Sequence, residues 1–163
     1  MPVNIVAVVT DIGRQRLLDG WGQVTALTSI TSFKVGEGGW EQTPAGRVPR
    51  DPTDPGPTNS RGPTLTDLDA ISNPADYPAD SLGTFQKALV SVDFSITGNS
   101  TLEVTCVVAV GDFIDDGNGN TPEIYEIGLF NSAGEMVAYG TYPVVLTVPG
   151  PNTFTVKILA ERS

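Results

Sequence analysis

The chain reads as a mainly β protein: an antiparallel β-sandwich or partly open barrel with one short N-terminal helix and a long Pro-rich loop. Three observations predict it. Apolar and polar residues alternate at period two through the segments that follow Phe85. A helical pattern is confined to residues 10 to 19. Glycine (18) and proline (13) are abundant, and eight of the prolines lie between Pro44 and Pro78. A length of 163 residues suits one domain with a core of its own, so residues 1–163 are read as a single β domain with an insertion at about 41–80.

Thr10-Asp11-Ile12-Gly13-Arg14-Gln15-Arg16-Leu17-Leu18-Asp19 is the predicted helix. Thr10 or Asp11 can accept bonds from the first orphan N–H groups, and Gly20 and Gly22 supply the stop. Ile12, Leu17, Leu18 and Trp21 give an imperfect apolar face, and Gly13 weakens the helix, so it depends on docking against a sheet. The first predicted strand spans 27–35, with Phe33 and Val35 on one face and Lys34 on the other. Gly36-Glu37-Gly38-Gly39 breaks it.

Prolines remove ladder donors and fix φ, so residues 40–80 are predicted to hold neither regular sheet nor a long helix. One helical turn is expected at Thr64 to Ile71. An extended arm of this kind suits lying on a neighbour, because its backbone is already restricted. Trp40, Pro49, Pro52, Pro55, Pro57 and Tyr77 are its candidate contact residues. Deleting 44–78 is expected to leave the fold intact and weaken assembly.

After Phe85, Ala88, Val90, Val92, Phe94 and Ile96 alternate with polar positions and predict one strand. Thr97-Gly98-Asn99-Ser100 predicts a turn, and Leu102, Val104, Cys106, Val108 and Val110 predict the returning strand. Cys106 falls on the apolar register, where it reads as a small core residue. Further strands are expected at 124–130, 136–142 and 153–160, with a short segment at 144–148 set off by Pro143 and Pro149. Six or seven antiparallel strands result. Ile127 and Leu129 share one face of their strand, Glu126 and Phe130 the other, which predicts cover on both sides.

Chemistry is constrained by what is missing. The chain has no His and one Cys, which excludes His-dependent triads, ordinary zinc sites and an internal disulfide. A net charge of −10 argues against nucleic acid and anionic membrane surfaces as partners. No apolar run reaches membrane-span length and the N-terminus lacks a basic targeting region, so a product of a reducing cytoplasm is expected. The loop from Asp112 to Asn120 places Asp116, Asn118 and Asn120 at alternate positions, as at the start of a calcium loop. Thr121 stands where the sharp-turn Gly belongs and the closing Glu is missing, so these three are weak calcium candidates in a solvated turn. No cofactor is expected. Gly36 to Gly39 lacks the Lys and Ser/Thr of a phosphate loop. Glu123 and Glu126 alternate to opposite faces and are read as surface charges. Asn99-Ser100-Thr101 matches a glycosylation sequon but lies in a tight turn.

Three stretches carry a resemblance. They are Val9-Thr10-Asp11-Ile12-Gly13-Arg14, Phe33-Lys34-Val35-Gly36-Glu37-Gly38-Gly39, and Tyr125-Glu126-Ile127-Gly128-Leu129-Phe130 continuing through Asn131-Ser132-Ala133-Gly134-Glu135-Met136-Val137-Ala138-Tyr139-Gly140. In order and spacing they resemble the N-terminal domain of phage tail-collar fibre proteins, apart from residues 41 to 80. The resemblance implies a non-enzymatic structural protein of the virion tail, assembled in the bacterial host cytoplasm. It implies other tail or baseplate proteins as partners and a homo-oligomeric state. Family members continue into a long fibre, whereas this chain stops at Ser163, which suggests a baseplate or fibre-adaptor subunit. The alternative is a carbohydrate- or receptor-binding module that stacks sugars on Trp21, Trp40, Tyr77 or Tyr125. A carboxylate hydrolase is a remote third reading, since no converging acid pair is visible.

Overall fold

The computed structural model describes residues 3–24, 28–36, 40–49, 85–98, 100–108, 123–147 and 152–159. Ten strands and one α-helix lie within them. They are β1 (Val3–Val9), α1 (Asp11–Trp21), β2 (Ile30–Gly36), β3 (Trp40–Thr43), β4 (Gly46–Pro49), β5 (Phe85–Ala88), β6 (Phe94–Thr97), β7 (Thr101–Val108), β8 (Glu123–Asn131), β9 (Met136–Thr147) and β10 (Asn152–Leu159). Eight strands form one sheet in the order β5-β2-β8-β9-β1-β10-β7-β6, and β3 and β4 form a separate hairpin.

The strand order forces the sheet to curl. β5 and β6 are its two edges, yet only residues 89–93 separate them in sequence. Eight flat strands at about 4.8 Å spacing would hold the edges roughly 34 Å apart. Six residue steps reach at most about 20 Å. The sheet therefore bends into a half-barrel, with the 89–93 segment crossing between its edges. Ile5, Ala7, Phe33, Val35, Val104, Cys106, Val108, Ile127, Leu129, Ala138 and Val156 fill the concave side. Cys106 is fully buried there, and burial, with a smaller push from Asp93, drives its thiol up to about 12.

The mainly β class, the short helix and the partly open barrel match the expectation. Five details differ. The strand β1 lies mid-sheet and mixes the sheet. Val3 to Ala7 pair in parallel with Phe154 to Ile158 on β10, while Val8 and Val9 pair antiparallel with Tyr139 and Ala138 on β9. A parallel neighbour needs a long crossover, and here the rest of the chain supplies it.

The strand expected over 88–96 is two strands on opposite edges. A 3-10 turn at Ser91–Asp93 divides them, closed by Asp93 Oδ2 accepting from the Val90 N–H at 2.7 Å. Val90 and Val92 consequently face solvent, and Leu89, expected on the polar face, packs against the core. Period-two alternation is blind to a half-turn that resets which side faces in.

The β3–β4 hairpin stands inside the stretch expected to hold no sheet. Its prolines sit where they cost no ladder bond, Pro44 in the turn and Pro49 at the end of β4. The strand β4 runs against β9. A deletion beginning at Pro44 would thus remove that strand too; one confined to the arm has to start after Pro49.

Pro143 does not interrupt β9. The β8–β9 ladder is irregular between the pairs Ile124↔Leu146 and Glu126↔Thr141, and Pro143 falls in that stretch, where a missing N–H breaks no regular pair.

The helix stop is the fifth difference. Gly22 closes the helix in an ordinary right-handed conformation, and Gln23 takes the left-handed one at φ 57°. The Gln23 N–H donates to Gly20 O and the Val24 N–H to Asp19 O, a Schellman arrangement with glutamine where glycine is favoured. Gln23→Gly relieves that strain but loosens the unfolded chain, for an expected net gain of about 0.5 kcal/mol. A thermal melt reads this as a rise of roughly 1–2 °C; a fall would contradict it. The expected turn at Thr64 to Ile71 lies outside the described residues.

Candidate functional site: a helix seated on a hairpin buried on both faces

The β8–β9 hairpin is buried on both faces. Ile127, Leu129 and Ala138 face the barrel core, and Phe130, Met136 and Tyr139 form a second cluster on the opposite side with Val8 against it. Both α1 and β4 lie against β9. Cover on two sides was the sequence expectation for this strand, and Gly128 is where it is tightest. A Cβ there would come within 2.6 Å of Met136 Sδ and 2.9 Å of the Phe130 ring.

The second face carries a polar pair. Glu126 is fully buried, as is Tyr139, whose hydroxyl donates to Glu126 Oε2 at 2.9 Å. This corrects the reading of Glu126 as a surface charge. Alternation assigned the residue to the correct face, but the cover on that face comes from elements remote in sequence. Lys34 lies on the same side, with its Nζ 4.4 Å from the centre of the Phe130 ring. Ser32 and Thr141 are also buried.

The helix is joined to the hairpin through backbone. The Thr10 N–H donates to Val137 O at 3.1 Å, and the Thr10 hydroxyl donates to Met136 O at 2.6 Å. The same hydroxyl oxygen accepts from the Gly13 N–H at 3.1 Å, so one side chain caps the helix and anchors it to β9. Gly13 is the buried residue of α1, and its Cα side abuts the Val137 peptide. The helix was expected to dock by Ile12, Leu17, Leu18 and Trp21. It docks by Thr10 and Gly13, because bonded backbone at this distance leaves no room for side chains between.

A polar lock fastens the other contact. Asn131 Oδ1 accepts from the Ala133 and Glu135 N–H groups at 3.0 and 2.9 Å, and shapes the hairpin turn with Gly134 at φ 78°. Asn131 Nδ2 donates to Glu135 Oε2 and to Thr28 Oγ1, each at 2.9 Å. Arg16 grips Glu135 with two bonds, Nε to Oε2 at 2.8 Å and a terminal nitrogen to Oε1 at 2.5 Å. The bonds from Arg16 and then Asn131 lower the Glu135 carboxyl from the usual range to about 2, and Glu135 and Asp19 raise Arg16 above its ordinary value.

The lowered value fixes a pH window. Glu135 contributes stability fully above its unfolded value of 4.5 and loses it as pH falls toward 2. Thermal melts of the wild type and Glu135→Gln should differ at pH 6, and the gap should narrow steadily as pH falls below 4.5. The gap should also shrink in high salt, since both groups are partly exposed. A gap as wide at pH 2 as at pH 6 would contradict this. Sequence reasoning missed the Arg16–Glu135 pair, although both residues lie in or directly beside stretches singled out by resemblance.

The C-terminal end of the helix and the turn after it leave apolar side chains exposed. Leu17 is 38% exposed, Leu18 63%, Trp21 75% and Val24 74%. Of the other candidate residues, Trp40 and Pro49 are register partners across the β3–β4 hairpin. Pro52, Pro55, Pro57 and Tyr77 lie outside the described residues, as do Asp116, Asn118 and Asn120. Tyr125 is only 2% exposed, which removes it as a sugar-stacking ring. Among the described residues no three His, Cys, Asp or Glu side chains group to hold a metal, and no helix is long and apolar enough to cross a membrane. Compared with known proteins, the chain matches no family model, no curated protein and no solved structure.

Proposed function

We propose that this protein is a non-enzymatic structural subunit of a bacteriophage tail, a baseplate or fibre-attachment adaptor that works through protein–protein contacts. One observation carries the reading beyond the sequence resemblance. The three stretches behind that resemblance form a contiguous unit although they span more than a hundred residues. Thr10 and Gly13 of the first seat on Met136 and Val137 of the third. Phe33 to Gly36 of the second pair with Leu129 to Glu126 of the third. A resemblance scattered by chance has no reason to converge on one helix, one hairpin and the strand beside it. The exposed apolar end of α1 suits a protein whose work is contact with other proteins.

Purified virions test the reading. Mass spectrometry should find the protein in stoichiometric amount, and antibody labelling in electron micrographs should mark the distal tail. Particles that lack it overturn the proposal.

A further inference from the structure

We propose that the exposed apolar patch at the C-terminal end of α1 and the turn after it is a two-fold self-association surface, on which Leu17, Leu18, Trp21 and Val24 of one copy pack against the same residues of a second. The first argument is area. The four exposed fractions leave bare roughly 500 Å², at about 200 Å² per large side chain. A standard interface takes about 800 Å² from each partner, a little over half of it apolar, so the patch matches the apolar share of one side.

The second argument is charge. Each ion on the helix is already paired within its own copy: Arg14 with Asp11, and Arg16 with Glu135 and Asp19. Gln15 also donates to Asp19. A partner needs no complementary charge here, and a second copy brings none that repels at the seam. A two-fold axis perpendicular to the helices places them antiparallel, which sets the positive end of each near the negative end of the other. The helix is held by Thr10 and by the Arg16–Glu135 fork, so binding does not have to order it first. The rest of the surface opposes association, because each copy carries −10. Salt should therefore tighten this dimer, the reverse of what an ion-paired interface does. The proposal stands on exposure and charge, and its test reads the same patch whether or not the virion test succeeds.

Sedimentation velocity on the full chain, from micromolar to several hundred micromolar, tests it. A monomer–dimer equilibrium is expected, tighter in high salt, and Leu18→Glu or Trp21→Glu should raise the dissociation constant tenfold or more. Both positions are exposed, and circular dichroism should show each variant folded. A second measurement covers the case of a variant that misfolds. Cys106 is buried, so a nitroxide placed on Gln15→Cys, exposed on α1 and outside the proposed contact set, labels one site, and the dimer should give one short spin–spin distance. A monomer throughout, a trimer, a dimer weakened by salt, or a long or multiple spin–spin distance overturns the proposal.

Discussion

Gly13→Ala should destabilise the protein by about 2 kcal/mol, although alanine is the better helix former by roughly 1 kcal/mol. The new methyl would overlap the Val137 carbonyl oxygen and stand 3.0 Å from Val137 Cα. Both obstacles are backbone in a paired strand, so neither can swing aside. The helix has to lift, which stretches the Thr10 bonds to Met136 and Val137 and pulls Arg16 from Glu135. Overpacking of this kind costs about 1–3 kcal/mol, and each strained hydrogen bond adds about 1. For a chain of this size the midpoint should fall by roughly 4–8 °C. Urea titration followed by circular dichroism is the check. Stability equal to or above the wild type would mean that α1 does not seat on β9 this closely.

The buried pair on the second face carries the other large effect. Glu126→Ala should cost about 2–4 kcal/mol, because it leaves a void and takes an acceptor from the buried Tyr139 hydroxyl. Tyr139→Phe keeps the ring in place and should cost about 1–3 kcal/mol. The two losses should not add. When both partners are made apolar, as in Glu126→Leu with Tyr139→Phe, neither leaves the other with a missing counterpart. The double variant should be less damaged than the sum of the corresponding singles by about 1 kcal/mol or more. Strictly additive losses in that cycle would mean that the 2.9 Å contact contributes nothing of its own.

These predictions rest on features that were legible in the sequence to different degrees. The alternation through Leu102, Val104, Cys106 and Val108 correctly placed all four on the core side, and Cys106 behaves as the small buried residue its register implied. Phe33 and Val35 point inward and Lys34 outward, as their spacing required. The two-sided burial of β8 was written in Ile127 and Leu129 on one face with Phe130 on the other. The helix cap was legible as Thr10 or Asp11, because that role needs only the next three residues, and the structure takes Thr10. The same pattern could not say that the Thr10 hydroxyl also donates to Met136, 126 residues away.

The sequence by itself determined the mainly β class, the short N-terminal helix, most strand positions and the inward side of β2, β7 and β8. These follow from local rules: side chains alternate along a strand, proline removes a donor, and a hydroxyl caps the first turn of a helix. Only the tertiary structure decided which strands are neighbours, that β1 and β10 run in parallel, and that β5 and β6 close opposite edges of a curled sheet. It also decided that Glu126 is buried and that Leu18 and Trp21 are bare. The physical reason is common to all of them. Periodicity tells a residue which way it points, but burial depends on what lies there, and that is supplied by chain far away in sequence.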